Sequence, residues 1–354
     1  MPGRPADAPT RVVLAGLFGA DNLGDRAILE AIVAAASSCG AEVVAWTTQD
    51  PAPDPRAVVL RARRPWAFVA ACRRADRVVM GGGGLLKDES LRFSLELLIA
   101  AVTGRLLRRR VTLLAVGAGP FYRRAGMVLV GLTARLAAVR TVRDEASAAA
   151  LERLGVPDAR VVADPVFSTP PPAPAARGSG RRILVAVRPW FHMDPDRGAR
   201  RWAALRNALA EAIETTAAGG ADVRLACLYL PEDEVAAREI LARVRGERAQ
   251  LLARRLTWRD MLEECAAADA IVAMRYHALV AAALARRPAV AIAYEPKVRS
   301  LAEELGVPIV EPDDHELARR VAEELEAGPP APDEATVDRL RRRAEAGLRA
   351  ALSG

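Results

Sequence analysis

Cationic side chains and a histidine follow three short apolar runs in the second half of the sequence. Because the carboxyl ends of parallel strands meet at one edge of a sheet, where open α/β sheets bind ligands, we expect these residues to lie close together. Cations beside helix N-termini favour a small, highly charged anion, and a histidine that titrates near neutrality suits proton transfer. Each residue alone has a simpler interpretation as a solvated or structural group, but their recurrence at three strand ends predicts a site. The residues are Arg188 after "ILVAV", Arg275 and His277 after "AIVAM", and Tyr294, Glu295 and Lys297 after "AVAIA".

Glycine-rich turns follow apolar runs in the first half of the sequence. Glycine lets a backbone approach a ligand or a neighbouring element closely, although such turns alone are weak evidence for a site. The sequence contains neither G-x-G-x-x-G nor G-x-x-x-x-G-K-[ST], so it lacks the usual signatures of NAD and ATP binding. Asp25, Arg143 and Asp144 can each line a cleft or serve the local structure, and helix capping is the simpler role for Asp25 and Asp144. The turns are "GLFGADNLGDRA" (16–27), the run Gly81, Gly82, Gly83 and Gly84, and "GAGP" (117–120).

The order of elements predicts the fold. Apolar runs alternate with helical patterns from residue 11 to about 325, which is typical of parallel sheets covered on both faces. A length of 354 residues and a Pro-, Ala-, Gly- and Ser-rich interruption favour two domains. We therefore predict an α/β protein of two doubly wound, Rossmann-like domains facing across a cleft. The expected parts are a disordered N-terminus (1–10), an N-terminal domain (11–167), a linker (168–182), a C-terminal domain (183–328) and a last helix that packs back (329–354).

Composition narrows the class of partner. The formal net charge of +7 suggests an anionic partner. The arginines are spread along the chain and no recognised nucleic-acid-binding module is present, so we expect no nucleic acid partner. The four cysteines lie far apart without metal-ligand spacing, which fits a reducing cytoplasm. The three histidines are equally scattered, so we predict no metal site.

The sequence indicates neither an export signal nor a membrane span. The N-terminus "MPGRPADAPT" has no apolar segment. The most apolar stretches, 94–107 and 125–139, are interrupted by Glu96, Arg105 and Arg135 and fall short of the ~18 uninterrupted apolar residues of a transmembrane helix. We therefore expect a soluble, cytoplasmic protein that is at most peripheral to a membrane.

Eight motifs occur in order along nearly the whole chain. They are "GADNLGDRAIL" (19–29), "GGGGLLKD" (81–88), "GAGP" (117–120), "TVRDEAS" (141–147), "ADPVF" (163–167), "VAVRPW" (185–190), "AMRYHALVAAA" (273–283) and "YEPK" (294–297). Each motif is weak alone, but the ordered set resembles the polysaccharide pyruvyl transferase family, most closely its bacterial cell-wall branch.

The resemblance implies a fold similar to GT-B glycosyltransferases and a transferase activity. Members of the family transfer pyruvate from phosphoenolpyruvate onto two sugar hydroxyls and form a cyclic ketal. In the cell-wall branch the acceptor is an N-acetylmannosamine of a lipid-linked polymer precursor, and the product helps to anchor surface-layer proteins. We expect no cofactor, with phosphoenolpyruvate as co-substrate.

The resemblance also assigns roles to individual residues. His277 is expected to act as the general acid–base group, with Arg275 as a catalytic partner and Asp25 as an acceptor-side base. Phosphoenolpyruvate carries a phosphate and a carboxylate, which need several fixed cations. The expected donor-binding residues are Arg188, Lys297, Tyr294 and, from the first domain, Arg143. The expected acceptor-binding residues are Asn22, Gly81, Gly82, Gly83, Gly84 and Asp88.

Three positions depart from the family pattern. Arg26 stands where an acid is usual, Val116 where a glutamine is usual and Glu295 where an aspartate is usual. The first two bear on the acceptor more than on the donor. A GT-B glycosyltransferase is an alternative, in which Glu295 would hold the ribose of a nucleotide sugar and the arginines and lysine its diphosphate. A non-catalytic carbohydrate-binding relative is a second alternative.

A basic helix is expected near the C-terminus, at about residues 334–351. It could contact an anionic membrane near a lipid-linked acceptor, at the inner face of the cytoplasmic membrane, although a solvated helix face is the simpler interpretation. The sequence leaves the oligomeric state open. The arginines of this helix are Arg339, Arg341, Arg342, Arg343 and Arg349.

Overall fold

The computed structural model describes residues 10–19, 21–47, 56–61, 65–175, 180–189, 195–252 and 254–352. Nearly all of the N-terminus that was expected to be disordered, together with Trp190 and His192, lies outside these ranges. The chain divides into two compact units. The first unit comprises Met1–Thr169 with Leu340–Gly354, and the second comprises Pro170–Arg339.

In the described residues of the first unit, seven parallel strands form one sheet. Their order is β3-β2-β1-β4-β5-β6-β7, so the direction of winding reverses between β1 and β4. These two strands pair directly, from Val12 beside Arg77 to Ala15 beside Met80. Their apolar runs are buried, as expected for a parallel sheet covered by helices. The strands are β1 (Arg11–Gly16), β2 (Glu42–Thr47), β3 (Ala57–Arg61), β4 (Arg77–Gly81), β5 (Arg110–Val116), β6 (Val139–Val142) and β7 (Arg160–Val161).

Helices cover this sheet and complete its core. Met80 and Leu113 of the strands belong to one buried cluster with Leu97 and Val130 of the helices. The helices are α1 (Leu23–Ser38), α2 (Pro65–Arg74), α3 (Leu91–Leu106), α4 (Arg124–Leu136) and α5 (Glu145–Arg153).

The second unit repeats the same winding in its described residues. Its six parallel strands have the order β10-β9-β8-β11-β12-β13, with the reversal between β8 and β11. Val185, Val272 and Val290 belong to its buried cluster. The strands are β8 (Arg182–Ala186), β9 (Asp222–Ala226), β10 (Ala249–Leu251), β11 (Ala270–Ala273), β12 (Ala289–Ile292) and β13 (Ile309–Val310). The helices are α6 (Pro195–Ala218), α7 (Glu232–Leu241), α8 (Trp258–Ala267), α9 (Tyr276–Leu284), α10 (Pro296–Leu305) and α11 (Leu317–Ala327).

The last helix, α12, spans Glu334–Leu352, and its residues from Leu340 onward belong to the first unit. Arg343 Nη2 donates to the carbonyl oxygen of Val162 at 3.0 Å. Gly347 lies against the same valine, where a Cβ would come within 3.1 Å of a methyl group. The C-terminal half of α12 therefore packs beside the end of β7.

The prediction of an α/β protein with two parallel, Rossmann-like sheets is confirmed. Residues 159–167 contribute little to the sheet. That stretch contributes the short β7 and then a 3-10 helix at Pro165–Ser168. Pro165 cannot donate to a strand ladder, and Asp164 Oδ1 instead accepts from the Val166 amide at 3.0 Å. In the part of the chain that the structure describes, no helix is long and apolar enough to cross a membrane.

Candidate functional site

The reversal point of the second sheet gathers the residues predicted to bind the donor. Arg188 follows β8, and Arg275 and His277 follow β11, the two strands between which the winding reverses. Tyr294 and Lys297 follow β12, the next strand in the sheet. Ligands of doubly wound folds bind outside the carboxyl ends of strands at such a reversal. The sequence-predicted donor residues of this unit therefore share one sheet edge.

Glu295 connects two of these cations. Its Oε1 accepts from Arg188 Nη1 at 2.8 Å, and its Oε2 forms an ion pair with Lys297 Nζ. The Tyr294 hydroxyl also accepts from Arg188 Nη1, and the guanidinium carbon lies 4.6 Å from the centre of the Tyr294 ring. Glu295 therefore holds Arg188 and Lys297 on the same side of the α10 N-terminus.

The protonation states of Arg188 and Tyr294 follow from this packing. Burial acts to lower the pKa of Arg188, but the neighbouring Tyr294 and Glu295 outweigh it, and the pKa is raised. Burial raises the pKa of Tyr294, and the positive charge of Arg188 opposes the shift only in part. Near neutral pH, Arg188 is thus a cation and Tyr294 is a neutral hydroxyl.

Arg275 is held by a residue that sequence reasoning missed. Asp233, in the first turn of α7, is completely buried. Its Oδ2 accepts from Arg275 Nε at 2.9 Å, and its Oδ1 accepts from Arg275 Nη2. The same carboxylate accepts from the amides of Leu228 at 3.0 Å and Tyr229 at 2.9 Å. A bidentate ion pair fixes both the position and the orientation of a guanidinium, so Asp233 is a positioning residue for Arg275.

His277 lies in the first turn of α9, two residues beyond Arg275. Its imidazole meets the Tyr276 ring edge-on, with 5.3 Å between ring centres. It also meets the Trp258 ring edge-on, with 6.4 Å between ring centres. His277 Nε2 is buried. The two aromatic rings fix the plane of a group that was predicted to move protons.

The N-termini of α9 and α10 lie at this edge. In the described residues, the N-cap side chains of these helices, Arg275 and Glu295, make no hydrogen bond to the first turn. The positive end of the helix dipole favours an anion at such an end. The charged side chains at this edge leave one net positive charge. They are three cations, Arg188, Arg275 and Lys297, and two carboxylates, Asp233 and Glu295. The edge can therefore bind an anion that brings several oxygen atoms.

The reversal point of the first sheet has an amide, a buried carboxylate and glycines where the second sheet has cations. Asn22 caps α1, because its Oδ1 accepts from the Gly24 amide at 3.0 Å. Its Nδ2 donates to Asp25 Oδ2 at 2.8 Å, and Asp25 is buried. A Cβ on Gly83 would lie 3.3 Å from Asp25 Oδ1, so the predicted base lies against the glycine run.

The run from Gly81 to Gly84 turns sharply at the end of β4. Gly82 has φ +109° and Gly83 has φ +52°, conformations that residues with a Cβ rarely adopt. The Gly117 amide donates to the Gly83 carbonyl at 2.8 Å, which joins this run to the turn after β5. Backbone groups and small residues therefore form most of this edge.

Asp88 has a structural contact at the predicted acceptor side. It is buried, and its Oδ2 accepts from the Tyr122 amide at 2.7 Å and from the Arg123 amide. Arg123 is the N-cap residue of α4. Asp88 thus supports the start of this helix, and a direct role in acceptor binding stays a prediction.

Arg143 follows β6 and is buried in the first unit. Its Nε donates to Asp144 Oδ2 at 3.1 Å, and Asp144 Oδ1 in turn accepts from the Ser147 amide at 2.8 Å to cap α5. A Cβ on Gly117 would lie 2.7 Å from Arg143 Nη2, so this glycine makes room for the guanidinium. The predicted donor contact of Arg143 stays a prediction.

Among the described residues, no group of three or more His, Cys, Asp or Glu side chains is arranged to hold a metal ion. The absence of a metal site remains a prediction.

The sequence matches the model of one protein family, described as polysaccharide pyruvyl transferase, over residues 22–296. The chain belongs to the polysaccharide pyruvyl transferase family. The match includes Asn22, Asp25, Arg275 and His277 and ends one residue before Lys297. The predicted family is confirmed, and with it the class of enzyme, a transferase. No curated protein matches the sequence of this chain.

Solved structures of low sequence identity share the fold. The UDP-GlcNAc 2-epimerase from Methanocaldococcus jannaschii has a TM-score of 0.65 at 12% identity, covering 98% of this chain and 100% of the other. The Neisseria meningitidis UDP-GlcNAc 2-epimerase bound to UDP-GlcNAc has a TM-score of 0.63 at 10% identity, covering 96% and 98%. Anabaena HepE in complex with UDP and glucose has a TM-score of 0.58 at 15% identity, covering 97% and 95%. This chain therefore has a GT-B-like fold.

Proposed function

We propose that this protein transfers pyruvate from phosphoenolpyruvate onto two hydroxyls of a sugar, forming a cyclic ketal and releasing phosphate. The acceptor that fits the resemblance is an N-acetylmannosamine of a lipid-linked cell-wall polymer precursor. The observation that carries the proposal is the gathering of Arg188, Arg275, His277 and Lys297 at one sheet edge of a member of this family.

The charge pattern of that edge supports phosphoenolpyruvate as the donor. The donor presents a phosphate and a carboxylate a few bonds apart, so its binding needs several cations with fixed directions. Arg275 is fixed by Asp233, and Arg188 is fixed by Tyr294 and Glu295. The N-termini of α9 and α10 add the positive ends of two helix dipoles.

The proposed reaction needs one proton placed on carbon and one carbon–oxygen bond broken. Protonation of the terminal CH2 of phosphoenolpyruvate turns it into a methyl group and makes C2 electrophilic. One sugar hydroxyl adds to C2, and the second replaces the phosphate there when the C2–O bond breaks. The two hydroxyl protons balance the proton gained by carbon and the proton carried away by phosphate.

His277 is proposed to move these protons, because histidine is the side chain that most often serves as a general acid–base group. Asp25 is proposed to accept a proton from an acceptor hydroxyl. Asn22 and the run Gly81–Gly84 are proposed to lie along the acceptor, where a backbone of small residues leaves room for a sugar ring. Arg143 is proposed to contact the donor.

Acceptor-dependent release of phosphate from phosphoenolpyruvate tests the proposal. We expect His277→Asn to lower kcat by about 10²–10⁴-fold, the usual contribution of a general acid–base group, with little change in the KM for phosphoenolpyruvate. His315→Asn is the matched control, because the His315 side chain is 92% exposed, and its kcat should equal that of the wild type.

Two outcomes would contradict the proposal. If the wild type releases no phosphate and UDP-sugars raise its Tm, the alternative of a nucleotide-sugar glycosyltransferase gains support. Two structural neighbours were solved with UDP or a UDP-sugar bound, which is consistent with that alternative. If wild type and His277→Asn are equally inactive but bind the sugar equally, the protein is a carbohydrate-binding relative.

A further inference from the structure

The helices α3 and α4 expose an apolar surface that the proposed chemistry does not use. Eight of the eleven large hydrophobic residues that are exposed in the described part of the chain lie between residues 95 and 132. Such clustering, unlike scattered exposed side chains, marks an interaction site. We call the α3/α4 face the surface formed by Leu95, Ile99, Val102 and Leu106 of α3 and Val128 and Leu132 of α4.

The spacing of these residues places them on the outer side of each helix. Leu95, Ile99, Val102 and Leu106 recur at intervals of four, three and four, which is one stripe of an α-helix. Leu97 and Ala101 lie on the opposite side of α3 in the core. The helix is thus apolar on both its buried and its exposed sides. A helix that is apolar all round needs cover on its outer side as well.

Arginines without carboxylate partners surround this apolar stripe. Between residues 91 and 136 the sequence has eight arginines, one glutamate and no other charged residue. Arg92 pairs with that glutamate, Glu96, at 3.0 Å. Within the described residues, the structure records no ion pair for the exposed Arg105, Arg108, Arg123 and Arg124.

Two exposed arginines on helices of the second unit are neutralised within their own helix. Arg238 pairs with Glu234 at 2.7 Å, and Arg259 pairs with Glu263 at 2.8 Å. The positive charge around the α3/α4 face is therefore left for an external anion.

These observations fit one kind of partner, a bilayer that contains anionic phospholipid. We infer that the α3/α4 face docks this enzyme on such a membrane, with the apolar stripe at the acyl boundary and the arginines on lipid phosphates. A second copy of the chain is a poorer partner, because a two-fold interface would bring these arginine-rich surfaces against each other.

The position of the face relates it to the acceptor. α3 follows the run Gly81–Gly84, and Asp88 at the end of that run accepts from the Arg123 amide at the start of α4. The cationic start of α4 therefore lies at the sheet edge proposed to bind the acceptor. Docking there deepens the proposed function, on which its biological meaning rests, because a lipid-linked sugar is carried at a membrane surface.

The last helix is the other surface to consider, because the sequence raised it for membrane contact. In the described residues, α12 exposes no large hydrophobic side chain. Arg343 binds the Val162 carbonyl, and Arg349 pairs with Glu345 at 3.6 Å. Charge alone gives weak and salt-sensitive attachment, so the α3/α4 face is the better candidate.

Flotation with vesicles tests the inference without any substrate. The wild type should float with mixed phosphatidylglycerol–phosphatidylcholine vesicles and not with phosphatidylcholine alone. Ile99→Ser with Val128→Ser should weaken binding at least ~10-fold. Arg105→Gln with Arg124→Gln should weaken it by about fivefold for each arginine, since each contributes roughly 1 kcal/mol at an anionic surface.

Matched controls come from exposed residues elsewhere. Val235→Ser removes a hydrophobic side chain that is 55% exposed in the second unit, and Arg342→Gln with Arg349→Gln removes two charges from α12. Both should float as the wild type does. Every variant should retain the wild-type circular dichroism spectrum and wild-type turnover of a short, lipid-free acceptor.

The inference is overturned by any of three results. These are equal binding to both vesicle types or to neither, wild-type flotation of both α3/α4 variants, or a dimer in analytical ultracentrifugation that Ile99→Ser with Val128→Ser dissociates. Flotation needs no phosphoenolpyruvate, so a failure here is distinct from a failure of the proposed reaction.

Discussion

The reversal points of the two sheets share one topology but use their helix N-termini in opposite ways. In the first unit, side chains occupy the helix starts: Asn22 caps α1, Asp144 caps α5 and Asp88 supports the start of α4. In the second unit, the N-cap side chains of α9 and α10 make no such bond among the described residues. An acid or amide at a helix start takes the place that an anionic ligand would need.

The difference teaches that the fold supplies a location and the residues just after the strands decide its chemistry. The first edge offers glycines, an amide and a buried carboxylate, which suit the hydroxyls of a sugar. The second edge offers directed cations and the positive ends of two helix dipoles, which suit a phosphate. Arg143 is an exception in the first unit, and there Asp144 accepts from its Nε.

The largest expected effect comes from the ion pair that positions Arg275. Asp233→Asn leaves the Arg275 guanidinium, whose side chain is only 13% exposed, without its counter-charge, so we expect the free energy of unfolding to fall by about 3–5 kcal/mol. The KM for phosphoenolpyruvate should rise as well, because Arg275 loses its fixed direction. Urea unfolding and phosphate-release kinetics measure the two effects.

Asp222→Asn is the matched control for this change. It breaks an ion pair with Arg248 in the same unit, but both side chains are more than half exposed, at 56% and 57%. We expect a loss of about 0–1 kcal/mol and an unchanged KM. Equal stability of the two variants would mean that the second edge does not depend on a buried ion pair.

A smaller effect is expected at the cap of α1. Asn22→Ala removes the bond to the Gly24 amide and should lower the free energy of unfolding by ~1 kcal/mol. If Asn22 also contacts the acceptor, the KM for acceptor should rise while the KM for phosphoenolpyruvate stays the same. Ser90 caps α3 in the same way, because its Oγ accepts from the Phe93 amide. Ser90→Ala removes this cap and should affect stability alone. Identical kinetics for both variants would reduce Asn22 to a structural cap.

These two sites show how far the sequence could predict this enzyme. Arg188, Arg275 and Lys297 could be placed at one edge because each follows an apolar run, and parallel strands end together. Asn22 and Asp25 precede and begin a clear helical pattern, so a local role was also foreseeable. Such conclusions need only the order of residues along one element.

Asp233 could not be identified in this way. It lies between Glu232 and Glu234, and local sequence does not say which of three consecutive acids is buried against Arg275, 42 residues further on. The contact of Glu295 with Arg188 spans 107 residues and was missed for the same reason. Long-range pairing of charges depends on how loops close after different strands, which periodicity does not record.

The smallest expected effect is the change in KM with ionic strength. Measured for both substrates, it compares the two edges within a single enzyme. Salt screens the charges that hold phosphoenolpyruvate, so raising the ionic strength from low to physiological values should increase its KM by about threefold, a modest change because the site is partly buried. The KM for a neutral, lipid-free sugar acceptor should stay constant, since hydrogen bonds to uncharged hydroxyls are not screened. Phosphate-release assays with each substrate in turn provide both values, and sodium acetate in place of chloride controls for competition by the added anion. An equal rise in both KM values would show that the acceptor also depends on charge, and the contrast between a glycine-rich edge and a cationic edge would then not correspond to two kinds of ligand.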